Sequence, residues 1–110
     1  MFFDQVRRGG DRLALDDGTR RRTWTEVGDR VLRLAHFIRE ECGVEAEGHV
    51  ATLLGNRVEA IELTIASIVA GTWITPINWH LAPDEIDYTL GDSGARVLFC
   101  LLYTSDAADE

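Results

Sequence analysis

Ile68-Val-Ala-Gly-Thr-Trp-Ile-Thr-Pro-Ile-Asn-Trp-His-Leu81 decides the fold. Its first residues close an apolar helix, and Gly71 supplies the stop, since glycine enters the left-handed conformation that ends helices. Trp73 to Ile77 is a short apolar run of strand type, closed by Pro76. The stretch therefore joins a helix to a buried strand, as in an α/β sheet.

Downstream, Pro83-Asp84-Glu85 opens a second helix. Proline is tolerated in a first turn, and carboxylates favour the positive end of the helix. This helix is expected to run to about Leu90 and to end at Asp92-Ser93-Gly94, followed by a strand from Arg96 to Phe99. Upstream, the helix from Val58 to Ala70 is apolar nearly all round. Ile61, Leu63, Ile65, Ile68 and Val69 point in several directions, and charge is confined to Glu59 and Glu62, so burial on most sides is expected. Before it, Val50 to Leu54 lies between Gly48 and Gly55-Asn56 and reads as a buried parallel strand. The order β-α-β-α-β predicts a parallel sheet with right-handed crossovers.

Leu13-Ala14-Leu15 and Thr23-Trp24 flank the turn signal Asp16-Asp17-Gly18-Thr19 and predict a small β-hairpin. Thr25 is the expected N-cap of a helix running to about Cys42, with Gly43 as its stop. Val27, Val31, Leu34, Ala35 and Ile38 form its apolar stripe. Glu26 with Arg30 and Asp29 with Arg33 are expected i,i+4 pairs of about 0.2–0.5 kcal/mol each. The fold class is thus α/β: a small hairpin plus helix, then a β-α-β-α-β unit.

At 110 residues and 45% hydrophobic, the chain is at most one domain or part of a larger one. A formal net charge of −8 argues against nucleic-acid binding, because no basic surface is available to displace counterions from phosphate. All 11 cationic side chains are arginine, so chemistry needing a lysine amine is excluded for this chain. Cys42 and Cys100 belong to no paired motif and fit a reducing cytoplasm. Leu63 to Ile77 is too short and too broken by Gly71 and Pro76 to span a bilayer, and the Met1-Phe-Phe-Asp4 start lacks the basic and apolar regions of a signal peptide. A soluble, cytoplasmic chain is expected.

No catalytic constellation emerges. The Gly55-Asn56-Arg57 turn precedes a helix, where backbone amides and the dipole can hold an anion; an ordinary βα turn is the simpler reading. His36, His49 and His80 are scattered and lack the ligand spacing of a zinc site. His80 follows a strand end, where open α/β sheets bind ligands, yet a loop histidine bonded to backbone explains it as well. Ser67 lacks a nucleophile elbow, and Ser93 belongs to a turn. Asp84, Glu85 and Asp87 are explained by capping and solvation. Trp24, Trp73 and Trp79 read as core or interface anchors. No catalytic, cofactor-binding or metal-ligating residue is assigned.

After Phe99 the pattern fails. Residues 100–110 show no cap, period or turn signal, and Cys100 to Ser105 can be encoded by TGT CTC TTA TAC ACA TCT, which resembles the transposon end used in sequencing libraries. Residues 1–99 are expected to be a partial domain and 100–110 a non-native, adaptor-derived tail. Without Asp106, Asp109 and Glu110 the net charge is −5, still acidic.

Arg22-Thr23-Trp24-Thr25-Glu26-Val27 resembles the first core motif of the adenylate-forming (AMP-dependent) synthetases, Leu-Thr/Ser-Tyr-x-Glu-Leu. Arg30, Leu34 and Ala35 continue the following helix in the same way. Val44 to Leu54 with Gly55-Asn56-Arg57-Val58-Glu59 resembles the family's Gly-Val-x-x-Gly-Asp-x-Val-Ala strand and Asn-containing turn. Val69 to Asn78 is similar to the second core motif, Lys-Ala-Gly-x-x-x-x-Pro-Ile-Asn/Asp. Asn78 to Leu81, Glu85 and Ala95 to Leu98 point towards AMP-forming acyl-CoA synthetases, with peptide-synthetase adenylation domains fitting less well. Val69 stands where many members carry lysine, and His49 where aspartate is common.

The resemblance covers about residues 10–99 and implies, for a parent protein, activation of a carboxylic (fatty) acid with ATP to an acyl-adenylate and transfer to coenzyme A. ATP, magnesium and coenzyme A are thereby implied for the parent and none for this chain. The family's phosphate loop, Tyr-Gly-x-Thr-Glu motif, ribose-binding aspartate and lid lysine all come later in sequence. The chain alone is expected to be inactive. Alternatives are a small non-catalytic α/β binding module, or an interaction protein docking through the Val58–Ala70 helix.

Overall fold

The structure, a computed structural model, describes residues 1–55, 57–77 and 80–100. Asn56, Asn78 and Trp79, which carry part of the family signature, and residues 101–110 of the expected tail lie outside the described residues.

The chain opens with α1, Phe2–Gly9, an element that the sequence pattern does not reveal. It spans only about two turns, too short for periodicity to register. Its Phe2 and Phe3 pack against the core. Strands β1, Leu13–Asp16, and β2, Arg21–Thr23, form the expected antiparallel hairpin, with Leu13 opposite Thr23, Asp16 opposite Arg21, and an irregularity between Leu13 and Leu15. Gly18 takes φ 89° in the turn. Trp24, expected to close the second strand, instead opens helix α2, Trp24–His36.

The cap of α2 corrects the sequence reading. Thr23, not Thr25, is the N-cap: its hydroxyl accepts from the Glu26 amide at 3.2 Å, while the Glu26 carboxylate accepts from the Thr23 amide at 2.8 Å. This reciprocal box satisfies two orphan donors at once. The Thr25 hydroxyl donates to the Gly10 carbonyl at 3.1 Å and fastens α1 to α2. Because Glu26 is committed to the cap, the expected Glu26–Arg30 pair is not among the ion pairs of the described residues; Arg30 turns to another partner. Asp29 and Arg33 do pair, at 2.7 Å. A π-helical turn, Phe37–Glu41, extends α2 to the Cys42 cap, and Gly43 follows at φ 69°.

Strand β3, His49–Leu53, helix α3, Val58–Ala70, strand β4, Trp73–Pro76, helix α4, Pro83–Ser93, and strand β5, Val97–Cys100, complete the expected β-α-β-α-β unit. The sheet is parallel with order β4-β3-β5, Val50 lying beside both Ile74 and Val97. Because β4 and β5 lie on opposite sides of β3, crossovers of the usual right hand place α3 and α4 on opposite faces of the sheet. Proline at position 76 is tolerated because β4 is an edge strand. Helix α4 runs one turn beyond the expected end and closes on Gly94, φ 72°.

The core lies between α2, α3 and the sheet: Val27, Val31, Ala35 and Ile38 from the α2 stripe, with Val44, Val50, Ala66 and Ala70. The expectation that α3 is covered on most sides is not met. Ile61 is 47%, Ile68 67% and Val69 39% exposed.

Two glycines test this packing in opposite directions. A β-carbon at Gly9 would overlap the Trp24 indole, whereas one at Gly91, inside α4, would meet nothing within 4 Å. In urea unfolding, Gly9→Ala is expected to destabilise by about 1–3 kcal/mol through overpacking. Gly91→Ala should stabilise by about 0.5–1 kcal/mol by restricting the unfolded chain. Equal shifts for the two would contradict the α1–α2 contact.

Candidate functional site

The turn before α3 is the best sequence candidate for an anion site, and the protein fills the accessible donor itself. The Val58 amide donates to Asp17 Oδ2 at 2.9 Å, across 41 residues of sequence. Asp17 Oδ1 accepts from the Thr19 amide at 2.9 Å and the Arg20 amide at 2.7 Å. The hairpin turn thus hands a carboxylate to the positive end of a helix whose own N-cap residue, Arg57, supplies no side-chain cap. Backbone donation from Arg20, then Val58 and Thr19, lowers the Asp17 pKa to about 2. An open cleft of about 390 Å³ lies between hairpin and helix, lined by Leu15, Asp17, Gly55, Arg57 and Ile61.

The charged centre of the molecule lies one turn further along α3. Glu62 is 0% exposed. Arg30 Nε donates to both of its carboxylate oxygens, at 2.9 and 2.8 Å, and Arg22 Nε stands 3.4 Å from Oε2. Glu59 lies beside it, 3.7 Å from Arg22 and 3.4 Å from Arg20. Hairpin, α2 and α3 therefore meet at a two-glutamate, three-arginine cluster. Arg22 Nε and Glu59 Oε1 are buried with no hydrogen-bond partner among the described residues. In the sequence, Glu59 and Glu62 stand out only as the sparse charge of α3; the signal that could have found the cluster is the Arg20-Arg21-Arg22 run opposite them.

The remaining candidates are dispersed. His36 ends α2, and His49 opens β3 with its ring stacked on Trp73 at 6.5 Å between centroids. His80 lies in the turn leading to α4, exposed and already engaged with the protein. Among the described residues no group of three His, Cys, Asp or Glu side chains is arranged to hold a metal. Buried Ser67 shares a 2.6 Å hydroxyl contact with Thr72, whose hydroxyl donates to the Ser67 carbonyl at 3.0 Å, fixing the end of α3. The Ser93 hydroxyl donates to the Leu90 carbonyl at 2.7 Å. Glu85 accepts from the Ala82 amide at 3.0 Å and serves as a helix cap beside Asp84. Trp24 packs on Phe2, while Trp73 is 62% exposed. Cys42 and Cys100 are free thiols; burial and then Glu41 push the Cys42 thiol up.

These groups hold elements together, and their substitution should register in stability. Glu62→Ala leaves Arg30 without this carboxylate and Arg22 with Glu59 alone. Removing one partner of a buried pair costs about 3–5 kcal/mol, and the lower half of that range is expected because Arg30 is 35% exposed. Urea unfolding checks this, and a change within error would remove the cluster from the account of the fold.

Asp17 predicts a pH effect. Its folded pKa lies below the usual 3.8, so it stabilises above that value and the contribution disappears as pH falls from about 4 to about 2. Asp17→Asn should be less stable than the parent at pH 7, with the difference closing below pH 2. A constant difference across that range would contradict the assignment.

Comparison with known proteins places the chain in a family. The sequence pattern of the AMP-binding enzyme family matches residues 2–110. A linear gramicidin synthase from Brevibacillus parabrevis is 38% identical over 98 residues, 89% of this chain and 2% of that protein. Feruloyl-CoA synthase from an Amycolatopsis species is 38% identical over 93 residues, 84% of this chain and 17% of that protein. In structure, the N-terminal domain of FACL13 from Mycobacterium tuberculosis superposes with a TM-score of 0.83 at 26% identity, covering 90% of this chain and 25% of that one. The N-terminal subdomain of NpsA from Klebsiella oxytoca gives 0.78 at 26%, with the same coverage. The chain thus spans a small part of the curated relatives it matches. No helix among the described residues is long and apolar enough to cross a membrane. Matched along its length in sequence, and sharing the N-terminal architecture of these enzymes in structure, the chain belongs to the AMP-binding, adenylate-forming ligase family.

Proposed function

We propose that this chain is the N-terminal scaffold portion of an AMP-forming acyl-CoA synthetase that activates a carboxylic acid with ATP and passes the acyl group to coenzyme A. The supporting observation is the family match over residues 2–110 combined with 38% identity to feruloyl-CoA synthase. ATP, magnesium and coenzyme A belong to the parent enzyme in this reading, and its location is the cytoplasm. The Asn78–Leu81, Glu85 and Ala95–Leu98 residues support the acyl-CoA branch. The named relatives include ligases for feruloyl and 2-succinylbenzoate groups. Aromatic carboxylates therefore join fatty acids as candidate substrates.

A second reading is favoured by a specific observation: the linear gramicidin synthase matches at the same 38% identity over a slightly longer stretch. In that reading the parent is an adenylation domain of a peptide synthetase. The two differ in the acceptor, free coenzyme A in one and a carrier-bound thiol in the other.

The chain itself is proposed to be inert. With no lysine it lacks the lid residue that the resemblance assigns to adenylation. The groups described above are committed to caps and ion pairs. Residues 100–110 are proposed to be foreign, although Cys100 completes β5 opposite Leu53.

Reading the native gene through the Phe99–Cys100 junction is the direct test. A frame continuing into a Thr/Ser/Gly-rich loop ending in Lys-Gly supports the synthetase; a genomic stop after Glu110 supports a small non-catalytic module. Purified 110-residue chain should release no pyrophosphate above background with ATP and any carboxylate, whereas the full-length product should do so and form a coenzyme A thioester. Release by the short chain would overturn the assignment of an inert scaffold.

A further inference from the structure

The strand order of the sheet marks one place for a ligand. From β3 the chain steps out to β4 and then crosses back to β5 on the other side, so the winding reverses between β3 and β5. In open α/β sheets ligands lie at such a reversal, outside the carboxyl ends of the strands. Here those ends are Leu53 and its partner Cys100, and a pocket of about 130 Å³ opens beside them. It shares no lining residue with the cleft between hairpin and α3.

The walls suit one chemical class. Leu34 of α2, Leu63 of α3, Leu54 just beyond β3 and Phe99 of β5 make the pocket largely apolar. An apolar cavity of about 150 Å³ in another protein holds benzene, so a single ring is of the right size. Arg30 is the donor in the wall. Its Nε is taken up by both oxygens of Glu62, but neither Nη makes a hydrogen bond among the described residues. The cluster behind it sets Arg20, Arg22 and Arg30 against Glu59 and Glu62, which leaves one positive charge uncompensated. Glu59, also in the wall, does not cancel that charge, because its Oε2 already faces Arg20 and Arg22 and its Oε1 is buried. A guanidinium beside apolar surface, with a charge to balance and donors to spare, selects a carboxylate.

We propose that this pocket binds a small monocarboxylate of benzoate size, its ring among Leu34, Leu63 and Phe99 and its carboxylate on the Nη groups of Arg30. The inference goes beyond the proposed function: the process is reversible binding, needs no nucleotide, and holds whichever ligase the parent is.

NMR of the 110-residue chain, labelled at its leucine methyl groups and titrated with sodium benzoate, tests it. Saturable shifts are expected at Leu34, Leu54 and Leu63, while Leu13 and Leu32, exposed elsewhere on the surface, stay in place. Benzamide keeps the ring and removes the charge, and should bind about tenfold more weakly as a charge-assisted bond is replaced by a neutral one. Leu34→Phe puts a ring into the pocket and leaves Arg30 and Glu62 unaltered, so the benzoate shifts at Leu54 and Leu63 should vanish. Shifts that never saturate, equal binding of benzamide and benzoate, or binding that survives Leu34→Phe would each overturn the proposal. If Leu34→Phe fails to fold, the benzamide comparison still decides. Collapsed methyl dispersion before ligand is added would overturn it as well, because the pocket walls would not be formed.

Discussion

Everything in this chain depends on holding α3 in place, and the buried Glu62 carboxylate is the means. An ion of that size left alone in an apolar interior costs several kcal/mol, so the helix can occupy its position only with Arg30 chelating Glu62 and Arg22 close by. Two further polar clips act at the ends. Asp17 caps the first turn through the Val58 amide, and Arg39 donates to the Ala70 carbonyl at 2.8 Å in the last. Each clip carries charge of the sign that the helix dipole favours at that end. The partners come from the hairpin turn, from β2 and α2, and from the π-helical turn, so a single helix gathers the N-terminal half of the protein onto the sheet.

This explains why the hairpin is present in a sheet protein to which it contributes no strand. Its two strands pair only with each other. The turn supplies Asp17, and the second strand supplies Arg22. Shortening the turn would move the carboxylate away from α3, and shifting the register by one residue would reverse the faces on which Arg21 and Arg22 lie. The hairpin is a polar bracket for α3, and the apolar packing of Val27, Val31 and Ile38 completes what the bracket positions.

The sheet and its two crossovers were legible because their signals are local: Gly71 and Gly94 as stops, Pro83 as a start, and apolar runs of strand length. The Val58–Ala70 boundaries agree residue for residue. What escaped depended on distant partners. Thr25 looks as good a cap as Thr23, and only the reach of Glu26 back to the Thr23 amide distinguishes them. Arg30 looks paired within its helix because its true partner lies 32 residues away. The apolar composition of α3 reads as burial on most sides, yet Ile61, Ile68 and Val69 are exposed, because composition alone does not say how much of the fold lies over a helix. The candidate site was legible only as an absence of assigned chemistry, and the arginine cluster that matters most was hidden in a run with the look of ordinary surface charge.

The family signature acquires a physical meaning from these contacts. The Thr-x-x-Glu of the first core motif is the capping box that starts α2. The Ala-Gly of the second motif is the end of α3 with its left-handed residue at φ 77°, and its proline closes an edge strand. Departures fall where the scaffold tolerates them. Val69, standing where lysine is common, is 39% exposed, so a lysine there would reach water and its loss removes no buried partner. His49, standing where aspartate is common, stacks on Trp73 at the start of β3. Membership of the family can therefore be read from residues that start helices, stop them and close a strand. From Ile68 to Ile77 the family motif is the end of a helix, its left-handed stop and an edge strand.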